Sequence, residues 1–442
     1  MRNLILASII LVSLSNLFGQ ALSIKDCVEI ALVNKETLES AQLDVAAANK
    51  DKLGSYSNIL PSLRFGGSWN ETRSAGKEFN IDPLTGEVID TRNSTVSIYT
   101  TWTSGLSLTQ NIYDGGAWWN EIAKANNNYL IASQIERQVK INIIASVHAG
   151  YYQVLKDQQL LEVANLNLDL GKQQVELTQR KYELGAVNKT DLLKAEVLLG
   201  QARVGVVNQE SALKNSMHEL RNAMGVVKSA SPFTLQDLEN QNIIFQAETD
   251  ALELMKLNNP GLLAIQAQIK GAELDYKLVR SARLPSLSAS MSYSATANKF
   301  DELPDNFEDT YNINSGISLS FPLFTGFNLS TRSQQAKLAL RKQKNEYTTN
   351  ENDAYIQLMA LLDVLQNYQS IIPINEEVLA SATEDLKLVQ ERYSLGSSTI
   401  LEVLDAQVSV IRARADLVAS RYTAFTQQTY LKAQMGLLDQ EY

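Results

Sequence analysis

The sequence predicts a mainly α-helical chain with a membrane β-barrel contribution, built as two structural repeats of a helix–strand–strand–long helix–helix unit. Three observations predict it. Only 21 glycines and 8 prolines occur in 442 residues, a composition that permits long helices. Four segments alternate apolar and polar side chains, as strands with one buried face do. Landmarks in the first half of the chain recur in the same order in the second, the signature of a duplicated unit.

Residues 1–20 read as a secretory signal peptide. Met1-Arg2-Asn3 is a short basic start and Leu4 to Leu17 a mostly apolar run, too short for a permanent membrane helix. Ile24-Lys25-Asp26 precedes Cys27 without the small apolar residues of a lipidation site, so no lipid anchor is predicted.

The duplication rests on three pairs. Leu60-Pro61-Ser62-Leu63 returns as Leu284-Pro285-Ser286-Leu287, and Ser104-Gly105-Leu106-Ser107-Leu108 as Ser315-Gly316-Ile317-Ser318-Leu319. Tyr182-Glu183-Leu184-Gly185 returns as Tyr393-Ser394-Leu395-Gly396. Repeat one is placed at 21–227, a linker at 228–246 and repeat two at 247–442. The first copy is longer between its first two landmarks, which puts an exposed variable loop near Asn80–Gly86 and another near Asp301–Asn306.

Strands are predicted at about 59–70, 96–113, 285–296 and 311–324. In the third, Leu287, Ala289, Met291, Tyr293 and Ala295 alternate with serines; in the fourth, Ile313, Ile317 and Leu319 alternate with Asn312, Asn314, Gly316 and Ser318. A soluble sandwich would pack two such apolar faces together. Lipid on one face and a wet lumen on the other fits better, because the opposite face is almost all Ser, Thr and Asn and each strand is long enough to cross a tilted wall. Trp69, Trp102, Trp118, Trp119, Phe321 and Phe324 lie in or just beyond the strands, as interfacial aromatics do. Four strands cannot close a membrane barrel, and open edges are not tolerated in lipid. Two, three or four copies of the chain must therefore pool their strands in one wall.

Helical hairpins are predicted over 117–226 and 327–436, with shorter helices over 22–58 and 247–283 and a bend at Pro373. The two short helices of a copy, placed end to end, match the roughly 100 Å reach of its long one. Leu401, Leu404, Val408, Ile411, Ala415, Val418 and Tyr422 form a heptad seam, and Gly185 and Gly396 are expected to cap the hairpin arms. The linker and the tail after Gly436 are expected to fold together.

Several function classes are excluded. A net charge of −10, from 39 basic and 49 acidic residues, argues against nucleic acid. One cysteine and two histidines, His148 and His218, leave little to build a metal site or a catalytic triad, and no phosphate-loop or His-Glu-x-x-His motif occurs. No catalytic residue, metal or cofactor is predicted. Asp301, Glu302, Asp305, Glu308 and Asp309 are expected to form a solvated loop.

Arg180-Lys181-Tyr182-Glu183-Leu184-Gly185 with Asp191-Leu192-Leu193-Lys194-Ala195, and Arg392-Tyr393-Ser394-Leu395-Gly396 with Glu402-Val403-Leu404-Asp405-Ala406-Gln407, are two hairpin tips. With Asn258-Asn259-Pro260 and the duplicated Leu-Pro-Ser-Leu, the chain resembles the TolC-like outer-membrane efflux protein family over its whole mature length. The resemblance implies a homotrimer with a 12-stranded barrel in the outer membrane of a Gram-negative bacterium and a helical tunnel through the periplasm. It implies a passive duct for small molecules, whose tips meet a periplasmic adaptor serving an inner-membrane pump, either proton-driven (RND) or ATP-driven (ABC). Type I protein secretion is the alternative within the family; a periplasmic coiled-coil scaffold or adaptor without a pore is the alternative outside it.

By that resemblance Glu402 and Asp405, spaced to share one helix face, are candidates for a carboxylate ring at the pore constriction, with Asp191 the copy-one counterpart of Glu402. Both Glu402 and Asp191 also fit helix capping, after Thr399 and Asn188. Tyr182, Gly185, Leu193, Tyr393, Gly396 and Leu404 are assigned to adaptor docking, with plain hairpin packing the alternative for the leucines. Ser398 stands where some members carry a tip-locking arginine, so Arg392 or Lys194 would have to substitute.

Overall fold

The computed structural model describes residues 21–228, 233–237 and 247–442. The expected signal peptide and most of the linker lie outside them. The chain divides into two units: residues to 46, 130–266 and 345–442 form the first, and 47–129 with 267–344 the second.

Four strands dominate the second unit: β1 (Ser62–Ile81), β2 (Val88–Asp114), β3 (Ser286–Ala297) and β4 (Asn312–Ser320). They form one antiparallel sheet in the order β1-β2-β3-β4. The β1–β2 ribbon is longer than expected and turns only between Ile81 and Val88. Pairing of Trp69 with Trp102, Leu106 with Tyr293 and Leu287 with Leu319 puts the apolar alternates on one face. Gly105 is required where β2 meets β3, because a Cβ there would lie 2.6 Å from the Tyr293 carbonyl oxygen. The second expected loop is partly helical: a 3-10 turn at Phe300–Glu302 leads into the short helix Leu303–Asp309.

The helices, numbered in chain order, are α1 (Ile24–Asn34), α2 (Glu36–Gly54), α3 (Ala117–Glu183), α4 (Lys189–Ala223), α5 (Glu248–Asn258), α6 (Pro260–Ser281), α7 (Leu303–Asp309), α8 (Asn328–Ser394) and α9 (Ile400–Gln434). The single helices expected over 22–58 and 247–283 are each broken, at Lys35 and Asn259. The breaks are equivalent. At the end of α4, Gly225 (φ +74°) packs against Asn34; at the end of α9, Gly436 (φ +69°) packs against Asn258. Asn259 Oδ1 accepts the Leu262 amide at 3.0 Å and its Nδ2 donates to the Gln434 carbonyl at 2.8 Å. The α8 helix continues through Pro373 without interruption. Among the described residues no helix is long and apolar enough to cross a membrane.

The first unit has its main core where α1, α3 and α4 meet: Val28, Ile141, Ile144, Val147, Tyr151 and Leu220 are buried with Leu235 and Leu438. The linker remnant and the tail thus share one core. Leu22 and Leu235 form a parallel bridge, and the Tyr151 hydroxyl donates to the Leu22 and Gln236 carbonyls. Arg137 secures the tail: Nε lies 2.8 Å from Asp439, while Nη1 and Nη2 donate to the Asn258 and Gly436 carbonyls at 3.0 and 2.7 Å.

His148 is buried beside this tail, with Nε2 2.6 Å from the Tyr442 hydroxyl and Nδ1 3.4 Å from Thr429 Oγ1. Burial pulls its imidazole down to about 4; Glu441 opposes the shift and Lys432 adds to it. A base whose folded pKa lies below its unfolded 6.5 binds more protons unfolded. Stability is then full above pH 6.5 and falls as pH drops towards 4, by about 3 kcal/mol per chain from this group. His148→Gln is expected to reduce the loss of melting temperature between pH 7.5 and 4.5; an unchanged loss would assign acid sensitivity elsewhere.

Candidate functional site

The two hairpin tips close alike. Gly185 and Gly396 take φ of +74° and +80°. The Ala186 amide donates back to Lys181 and the Gly185 amide to Tyr182, at 2.8 and 2.9 Å. Ser397 to Arg392 and Gly396 to Tyr393 repeat the pattern at 2.9 and 3.2 Å. This double bond satisfies the last carbonyls of the helix, and glycine tolerates the left-handed position it needs. Lys181 ties one tip to the other: Nζ donates to the Tyr393 carbonyl at 2.6 Å and lies 3.7 Å from the centre of the Tyr393 ring.

The expected docking residues separate by burial. Tyr182 and Leu193 are exposed, at 38% and 48%. Tyr393 and Leu404 are buried, in a core with Leu386, Val389, Ile400 and Val403. Two exposed residues at the apex, Leu184 and Leu395, stand in the tip motifs but outside the expected docking set; each is 83% exposed and just before its tip glycine. The signal was present, because the Leu-Gly pair is duplicated.

The heptad seam holds only in part. Leu404, Val418 and Tyr422 of the expected seam are buried, but Leu401 and Val408 are exposed, and Ile400, Val403, Val410 and Leu417 one position earlier are buried instead. Helix α9 carries two neighbouring apolar stripes. The second faces α4 and, with Leu193, Val197 and Leu404, lines an open groove of about 430 Å³. Asp405 and Lys194 stand in the walls of this groove.

The three candidate carboxylates differ. Thr399 caps α9, its Oγ1 accepting the Glu402 amide at 3.3 Å, and the Glu402 carboxylate in that first turn accepts from the Ser398 and Thr399 hydroxyls. The Ser398 bond is the main reason its carboxyl sits below the usual range, with Thr399 and the Arg392 guanidinium, 3.9 Å away, adding to it. Ser398 and Arg392 together thus occupy Glu402. Asp191 occupies the matching first turn of α4, its amide donating to Asn188 Oδ1 at 3.0 Å. Asp405 lies one turn further in, exposed and outside any cap.

The aromatic candidates fall into two belts on the sheet. Trp69 and Trp102 meet across β1 and β2 with ring centres 6.1 Å apart, and Phe300 contacts Trp102. At the other end of the strands Trp118 and Trp119 open α3, and Phe321 and Phe324 follow β4, all but Trp118 well exposed. The 12 residues of β3 separate the belts, roughly 40 Å along the strand and roughly 30 Å in height at the usual tilt. That is the thickness of a hydrocarbon core.

Comparison with known proteins agrees with this architecture. Outer membrane protein TolC of Vibrio cholerae is 22% identical over 93% of this chain and 91% of its own. The proteases secretion protein PrtF of Dickeya chrysanthemi is 22% identical over 100% of this chain and 93% of its own. Among solved structures, CusC aligns with a TM-score of 0.82 at 18% identity over 95% of this chain and 93% of that one. The outer membrane protein VceC of Vibrio cholerae aligns at 0.79 and 16% identity, over 93% and 96%. The family model described as outer membrane efflux protein matches residues 27–226 and 251–437, nearly the whole described chain, and the chain belongs to that family.

Proposed function

We propose that three copies of this outer-membrane protein join edge to edge, β4 of one against β1 of the next, into a passive export duct. The carrying observation is the sheet itself. Among the described residues it ends at β1 and β4 with nothing paired outside them, and it is greasy on one face and hydroxyl-lined on the other. Such a sheet is stable in lipid only when closed. Eight strands from two copies would give a barrel filled by its own side chains; twelve leave a lumen. The helices would continue the duct through the periplasm. The exposed tips Leu184, Tyr182, Leu193 and Leu395 would meet an adaptor serving a proton-driven or ATP-driven pump, with Gly185 and Gly396 shaping them and Tyr393 and Leu404 supporting them from below.

Small molecules are the proposed cargo. Export of protein is the second reading, favoured by the likeness to PrtF and to the alkaline protease secretion protein AprF of Pseudomonas aeruginosa. The pump that co-purifies with the chain distinguishes the two. Detergent extraction is expected to give a particle of three chains that conducts ions across a planar bilayer. A monomer soluble in buffer and without conductance would overturn the duct.

Asp405 is the residue proposed for the acid ring, because Glu402 and Asp191 sit in helix first turns. Asp405→Asn is expected to lower the cation-to-anion permeability ratio severalfold, since carboxylate rings set selectivity by charge. A ratio equal to that of the unaltered channel would remove Asp405 from the constriction.

A further inference from the structure

The connection between β3 and β4 packs on one side of the sheet only. Ala295 and Ala297 are buried beneath Leu303, with Trp102 and Phe307 packed around them, while Thr296 between them is exposed on the opposite face. Phe300 meets the edge of Trp102 at 5.1 Å, Phe307 lies 5.5 Å from Tyr293, and Asn306 Nδ2 donates to the Thr296 carbonyl at 2.8 Å. The covered face is the one that carries Leu106, Met291, Ile313 and Ile317, which is the lipid face of the proposed wall. Asp305, Glu308 and Asp309 are exposed, and Phe300 remains 67% exposed at the rim. The segment sits at the level of the Trp69–Trp102 belt, beyond which the β1–β2 ribbon carries charged residues such as Glu71 and Arg73.

We propose that residues 300–309 form a collar on the outside of the barrel, seated among the lipid headgroups of the outer leaflet, and leave the pore mouth clear. An amphipathic segment at an aromatic belt, with apolar residues to one side and charge to the other, is built for that layer. The alternative, a loop folded into the lumen, would require it to cover the serine- and threonine-lined face, where Thr296 is open. The collar rests on the proposed orientation of the wall, so its test carries a separate check of that orientation.

The native Cys27 is fully buried and burial raises its thiol to about 12, so it stays unreactive to labels. Phe300→Cys, Ile317→Cys and Thr296→Cys can then each carry a nitroxide in the assembled protein, in vesicles of phosphatidylethanolamine and phosphatidylglycerol. Labels at 300 and 317 are expected to relax severalfold more with oxygen relative to a water-soluble nickel chelate than the label at 296. A label at 300 that reads like 296, with 317 still in lipid, would overturn the collar alone. A label at 317 that reads as aqueous would overturn the wall itself. Asp305→Cys, joined to a bulky polyethylene glycol maleimide, keeps the question open to test if Phe300→Cys misfolds. Its single-channel conductance is expected to match the unmodified protein, and partial block would place the segment in the lumen.

Discussion

Met291→Arg is expected to keep the chain out of the outer membrane, while Ser292→Arg, one residue along, leaves assembly intact and turns the pore towards anions. Met291 lies near the middle of β3, paired with Leu108 and Ser315, on the apolar face. A guanidinium there costs about 3 kcal/mol in each copy at the bilayer midplane, and three copies pay it together. Ser292 pairs with Ser107 and Asn314 on the hydroxyl-lined face, where an added charge meets water. The measurements are the amount of chain in outer-membrane fractions and the ion selectivity of what is recovered. Equal recovery of both variants would mean the two faces are wrongly assigned.

Gly436→Ala is expected to lower the melting point far more than Gly396→Ala, although both glycines have positive φ. The backbone strain is common to both, on the order of 1–2 kcal/mol. The surroundings differ. A Cβ at 396 meets open space, whereas one at 436 would lie 2.3 Å from the Asn258 carbonyl oxygen. That carbonyl and the carbonyl of Gly436 both accept from Arg137, so moving either disturbs the tail. Forced repacking adds roughly 1–3 kcal/mol. Gly225→Ala should fall between, since its nearest contact, the Asn34 carbonyl oxygen, is 2.9 Å away. Thermal loss of helical circular dichroism in detergent ranks the three; identical midpoints for 436 and 396 would refute the packing account.

The wall was legible because the apolar residues of each strand share one face and the polar ones the other, which writes a period of two into Leu287–Ala295 and Ile313–Leu319. The same rule explains the part that was missed. Beyond Trp69 β1 itself has polar residues on both faces, as in Asn70-Glu71-Thr72-Arg73-Ser74, and with no apolar side the alternation vanishes though the strand continues opposite Ile98 and Val96 of β2. The break at Asn259 is marked by the proline that follows it. The equivalent break at Lys35 has no local marker, because its glycine contact comes from position 225. Capping by Thr399 and Asn188 was readable from spacing. The burial of Tyr393 and the exposure of Leu401 and Val408 were not, since adjacent stripes on α9 serve different neighbours and a heptad alone does not say which. The collar was hidden because acids and a proline resemble loop; only the sheet beneath Leu303 and Phe307 makes it a helix.

The open flanks of the sheet have a genetic corollary. A variant spoiled at only one flank, β1 or β4, still offers a sound opposite flank and so is recruited beside intact siblings. Each ring of the proposed kind that contains it stays unsealed. With equal synthesis of both alleles about one ring in eight is wholly intact, so such a lesion behaves as dominant in a cell that also makes the normal chain.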